Sequence, residues 1–151
     1  MKKLFFILFL FYCTVSYSQT ISSQCQGLHI IPDRTPQPSL TSAEIEERLN
    51  SISLKKSKYS KHPFYMTIMI AVDCEGNSEI FEINRCGSLD CSYQVRDKKL
   101  RQEIAELFTN NVQWKPGKLD GNTCRSIYTL KTMVEDRMFS VLSESELASL
   151  Y

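Results

Sequence analysis

The chain has 151 residues, with 18 Lys and Arg against 17 Asp and Glu and a formal net charge of +1. So balanced a charge leaves no basic footprint for a nucleic acid or an anionic membrane surface. The length allows one domain of ordinary size with some irregular tail.

Met1-Lys2-Lys3 is a short positive region, Leu4 to Val15 an apolar run, and Ser16-Tyr17-Ser18 puts small residues at −3 and −1 before Gln19. This is the three-part pattern of a secretory signal peptide over residues 1–18. A membrane span needs about 20 apolar residues, more than this run supplies, so cleavage is expected over retention as an anchor. Bulky Phe11 and Tyr12 before Cys13 argue against lipid modification there. The expected destination is the periplasm or cell envelope, as a soluble protein. Cleavage leaves 133 residues, 16 basic and 17 acidic side chains, and five cysteines: Cys25, Cys74, Cys86, Cys91 and Cys124. In an oxidising compartment these are disulfide candidates, with one left over because the number is odd.

Residues 19–61 form a lead-in that opens polar and turn-rich, with Pro32, Pro36 and Pro38. Thr41-Ser42-Ala43-Glu44 is a capping box, and Ile45, Leu49 and Ile52 recur on one face, which predicts a helix from Thr41 to Leu54. A basic surface loop follows, Lys55 to Lys61. The domain proper is expected over residues 62–140. Its first strand, Phe64 to Asp73, alternates apolar residues on both faces and so reads as central. Cys74-Glu75-Gly76-Asn77 turns the chain into a second strand, Ser78 to Arg85. Asp97 can cap a helix bearing Leu100, Ile104, Leu107 and Phe108, ended by Asn110-Asn111. Beyond the turn Asp120-Gly121-Asn122, a third strand is expected from Cys124 to Val134. Residues 141–151 are a tail in which Ser143-x-x-Glu146 repeats the capping pattern.

Helix, then β-β-α-β, predicts an α+β fold of two layers: a three-stranded antiparallel sheet of order 2-1-3 under one helix. In that order Cys74 ends the first strand where Cys124 begins the third, so a Cys74–Cys124 disulfide is expected. Cys86 and Cys91 flank a short loop around Gly87 and are expected to join, leaving Cys25 unpaired.

Catalytic candidates are few. His29 and His62 are the only histidines, and Cys25 and His29 are four apart in a segment with no helical pattern. No paired short spacing suggests a zinc site. Asp73, Glu75 and Asp90 sit at strand ends and turns, where carboxylates are normally solvated. The charges Lys98, Lys99, Arg101, Glu103 and Glu106 read as a solvated helix face. No enzyme activity, metal or cofactor is therefore expected. Trp114, the single tryptophan, is expected to cap the core with its indole N–H on a backbone carbonyl. Pro116 stops the chain from extending the helix and Gly121 permits a tight turn.

Three features together resemble the C-terminal domain of TonB, the energy transducer of the Gram-negative envelope. They are the strand ending Val72-Asp73-x-x-Gly76, the helix with Leu100, Ala105 and Phe108 leading into Trp114-Lys115-Pro116-x-x-x-x-Gly121, and the closing strand with Tyr128-Thr129-Leu130. The resemblance covers Phe64 to Phe139. It implies a domain that binds an extended peptide, such as a segment of an outer-membrane receptor, by strand addition to the closing strand. Here that edge is Ser126, Ile127, Tyr128, Thr129, Leu130 and Lys131. The chain departs from the family in having Lys131-Thr132 where a proline is common, in its cysteines, and in lacking a long linker before Phe64. Once cleaved it would be tethered to nothing and could not transmit force by itself. Two other readings stay open. One is a disulfide-stabilised interaction or structural domain, whose edge strand is merely guarded by Arg125 and Lys131. The other is a thiol redox protein using Cys86 or Cys91. Cys25 or the sheet edge offers a route to a dimer.

Overall fold

A computed structural model of the chain describes residues 25, 27–29, 32–54, 62–87, 93–110 and 112–149. The expected signal peptide, the loop 55–61 and Cys91 lie outside the described residues.

The lead-in is less idle than its composition suggests. It contributes β1 (Gln37–Pro38) and then α1 (Ser42–Asn50). Thr41 caps α1 with its hydroxyl on the Glu44 N–H at 3.3 Å, and the Glu44 carboxylate returns a bond to the Thr41 N–H at 2.8 Å. Those bonds from Thr41 hold the Glu44 carboxyl below its ordinary range. The helix stops at Asn50, short of the expected Leu54. Ser51 takes over the last turn, its hydroxyl donating to the Arg48 carbonyl at 2.6 Å. Ile52 and Leu54 are buried all the same.

β2 (Phe64–Val72) is central, paired antiparallel with β3 (Ser78–Cys86) on one side and β8 (Ser126–Glu135) on the other. The turn between β2 and β3 is organised by Asp73. Its carboxylate accepts from the Glu75 and Asn77 N–H groups and the Asn77 amide, all at 2.8 Å. Burial alone would raise the Asp73 pKa, but these bonds and one from Gly76 outweigh it and the net shift is downward. β4 (Tyr93–Gln94) adds a short edge to β3.

α2 (Lys98–Thr109) is capped by Asp97 and buries Leu100, Ile104 and Phe108. Each such side chain contributes about 1.5–3 kcal/mol by leaving water. α2 packs on β3 and α1 on β9 (Met138–Val141), the strand after β8. All of these contribute to one core cluster, with Ile45, Leu49, Met66, Ile68, Ile83, Leu130 and Phe139 among its members. Between α2 and β8 run β5 (Trp114–Lys115), β6 (Gly117–Leu119) and β7 (Asn122–Cys124). β6 and β7 form a hairpin whose turn residues Asp120 and Gly121 both have positive φ, the geometry that matches strand twist. The chain ends in α3 (Glu144–Ser149), with Ser143 and Glu146 capping each other.

The α+β class stands, but the three-stranded sheet does not. The main sheet has five strands in the order β4-β3-β2-β8-β9, and β1–β5 and β6–β7 form two further small sheets. The closing strand was expected to be an edge. Its second part, Thr132 to Glu135, is flanked instead, because the chain turns back at Asp136 and Arg137, both at positive φ, to lay down β9.

The disulfide expectation is corrected too. Cys74 bonds Cys25, with Cα atoms 5.8 Å apart, and Cys124 is free and buried. Cys124 is fully buried at the end of β7, while Cys74 is half-exposed in the β2–β3 turn, where Cys25 of the lead-in reaches it. Cys25 is thus not left over. Cys86 is disulfide-bonded, but Cys91 lies outside the described residues.

Candidate functional site

The six residues of the expected binding edge occupy the first part of β8. β9 pairs only with Thr132 to Glu135. Backbone groups alternate in direction along a strand, and their parity here is fixed by three bonds. Phe139 and Val141 donate away from β8, to Asn50 Oδ1 at 2.6 Å and to the Glu46 carboxylate at 2.8 Å. Leu142 donates inward, to the Lys131 carbonyl, at 3.0 Å. Ile127, Thr129 and Lys131 therefore present their N–H and C=O groups on the side away from β2, while Tyr128 and Leu130 face β2. At the start of β8 the lead-in closes the edge: His29 bridges to Ser126 and donates to the Arg125 carbonyl at 2.8 Å. Among the described residues no strand pairs with the outward side of the stretch between these two clamps; its other side is paired with β2. Its centre, Thr129, is exposed.

The other free backbone is better guarded. β9's outer edge is occupied by the α1 side chains just named, and Asn50 also donates to the Phe139 carbonyl at 3.0 Å. β3 carries a bulge opposite Met69 and Ile70, with Phe81 outside the register and Glu79 and Glu82 beside it. Bulges and charges are the ordinary protections of an edge. Arg125, expected to guard the β8 edge, is instead ion-paired with Glu79. Lys131 is the remaining charged side chain on that stretch, half-buried.

The Trp114-Lys115-Pro116…Gly121 segment builds the floor behind this edge. Trp114 pairs with Pro38 and donates its indole N–H to the Phe108 carbonyl at 3.2 Å, one of the acceptors α2 leaves unsatisfied at its end. Its ring meets Phe108 at 6.5 Å and Tyr128 edge-on at 5.2 Å. Burial raises the Tyr128 pKa above its ordinary value, so this phenol stays neutral through the physiological range. Gly76, at φ +88°, lets the β2–β3 turn approach the Trp114 carbonyl: a Cβ there would lie 2.7 Å from that oxygen. Lys115 is exposed and pairs with Gln37, Pro116 separates β5 from β6, and Gly121 supplies the second positive φ of the β6–β7 turn.

Chemistry-bearing residues are sparse. Among the described residues no group of three His, Cys, Asp or Glu side chains could hold a metal ion. His62 is exposed beside Pro63; His29 has its Nε2 buried without a hydrogen-bond partner. The arrangement offers main-chain hydrogen bonding on β8 and one thiol beside one disulfide. Sequence reasoning missed the clamps, His29 and β9, and the helix side chains Asn50 and Glu46. Only the apolar Met138-Phe139 hinted at β9. No protein-family model matches the chain, and no curated protein or solved structure does either.

Proposed function

We propose that this chain is an exported envelope module, similar to the C-terminal domain of TonB, that takes an extended segment of an outer-membrane protein onto β8. The observation that carries the reading is the half-covered strand: β9 pairs with Thr132–Glu135 alone and Leu142 takes the Lys131 carbonyl, so that among the described residues the outward groups of Thr129, at the centre of the stretch, meet no other strand. An added strand gains affinity from these groups and selectivity from alternate side chains. The proposed role is binding, and the Trp114–Gly121 segment serves it by folding the chain behind β8. In TonB-dependent transport such a module would contact a receptor without itself pulling on it.

Export is part of the proposal. The Cys25–Cys74 bond suits an oxidising compartment, and among the described residues no helix is long and apolar enough to cross a membrane. Intact mass of the protein recovered from the envelope should place its N-terminus near Gln19; a mass that includes Met1 refutes cleavage.

Thr129→Pro tests the edge. The substitution removes an N–H turned away from β2, so the domain should fold, as edge positions accept proline. Losing this bond and distorting its neighbour should weaken binding of receptor-derived peptides roughly tenfold, at about 1 kcal/mol for each bond. Fluorescence anisotropy with peptides from the periplasmic ends of the host's receptors reads the change. A folded Thr129→Pro protein that binds as well as wild type removes the strand-addition mechanism and leaves an interaction domain without a receptor role.

A further inference from the structure

Three cysteines meet at one peptide carbonyl. The Cys74 and Cys25 sulfurs lie 3.3 Å and 3.9 Å from the Thr123 oxygen. The next residue is Cys124, the free thiol, fully buried. A carbonyl oxygen and the following Cα of a trans peptide are about 2.8 Å apart, so the Cys124 Cα is within roughly 6 Å of the Cys74 sulfur. Bond formation requires the Cys124 side chain to swing toward that sulfur about χ1. His29 adds a second feature: it pairs with Ser126, two residues beyond Cys124, and its buried Nε2 has no hydrogen-bond partner.

We propose that Cys25, Cys74 and Cys124 form a thiol–disulfide exchange site. Cys124 gives up its proton, with the His29 imidazole available to take it, and the thiolate attacks the Cys74 sulfur. The Cys124–Cys74 bond forms, the Cys25–Cys74 bond breaks, and Cys25 leaves as a thiolate that is reprotonated. No electrons are gained or lost overall, so no outside oxidant is needed. The resting bond remains Cys25–Cys74. The exchanged state places the free thiol on Cys25, which is half-exposed, and makes it reactive toward a disulfide from outside. The buried thiol thus acts as an internal resolving group that moves reactivity to the surface. This site stands apart from the peptide-binding reading and does not require it.

The experiment incubates the full chain with oxidised glutathione and maps its peptides without reduction. In wild type, glutathione should appear on Cys25, with Cys74 joined to Cys124. Cys124→Ala should lower the Cys25 adduct at least about tenfold, since nothing then displaces Cys25. Cys25→Ser keeps the buried thiol and should form the Cys74–Cys124 bond on oxidation; this variant decides if Cys124→Ala does not fold. Glutathione on Cys124 beside an intact Cys25–Cys74 bond overturns the proposal. So does wild type without a Cys25 adduct, or a Cys25→Ser protein whose Cys74 and Cys124 both remain alkylatable after oxidation.

Discussion

Truncating Trp114 tests the packing that supports the candidate edge. The side chain is 7% exposed and contacts Phe108 and Tyr128, and its indole N–H bonds the Phe108 carbonyl. Trp114→Ala removes the transfer free energy of a large aromatic and leaves a cavity between α2 and β8, so it should cost about 3–5 kcal/mol. Trp114→Phe separates packing from hydrogen bonding. It keeps much of the apolar contact, and the Phe108 carbonyl still accepts from the Ser78 hydroxyl at 3.1 Å. Because that acceptor is not left bare, the change should cost only about 1–2 kcal/mol. Urea unfolding followed by far-ultraviolet circular dichroism, with disulfides intact, measures both; tryptophan fluorescence cannot, since Trp114 is the only tryptophan. A loss below about 1 kcal/mol for Trp114→Ala would refute burial of the indole in the core. Equal losses for both variants would refute the assignment of most of the energy to packing.

Two further outcomes follow from the turn that faces Trp114. Gly76→Ala should destabilise by about 2–4 kcal/mol, because a left-handed φ and a Cβ 2.7 Å from the Trp114 carbonyl both oppose it; a melting temperature like wild type's would show that the turn can move. Asp73→Asn should cost about 1 kcal/mol at neutral pH, modest because the carboxylate is partly solvated. The Asp73 pKa is lowered on folding, so its contribution is present above the unfolded value near 3.9 and is lost as pH falls through the folded value. The stability gap between wild type and Asp73→Asn should therefore shrink as pH falls below about 4, and a constant gap would show that the ionised form is not the one that holds the turn.

What the sequence showed and what it hid have physical causes. β2 was legible because one of its faces is fully buried and the other half-buried or better, so its apolar residues run almost unbroken. Both long helices were legible because Thr41–Glu44 and Asp97 announce their starts before an apolar face begins. β9 was hidden by its turn: Asp136 and Arg137 adopt φ of 48° and 72°, and neither is the glycine or asparagine that usually marks such a hairpin. The two-residue pairing of β1 with β5 has too few positions to show any period. Topology brought Cys74 and Cys124 into one neighbourhood, and Thr123 does touch the Cys74 sulfur. It could not say that Cys124 would be buried, nor that Cys25 of the lead-in would reach Cys74. The caps on β9 were illegible for a simpler reason. Asn50 and Glu46 read as ordinary polar helix residues, and their partners lie 89 and 95 positions away.

Those same caps give the candidate site its limits. Laying β9 along all of β8 would have left no open backbone there, and leaving β9 out would have exposed the whole strand to indiscriminate pairing. The chain does neither. β9 covers the last part of β8, α1 side chains seal β9's outer edge, and the lead-in, tied down through Cys25, covers the first residue. The remaining stretch is short and unbulged, with Tyr128 packed on Trp114, and among the described residues it has no neighbour on the side away from β2. An added segment would find room for only a few residues between His29 and Leu142, and its length, as much as its side chains, would decide what is admitted.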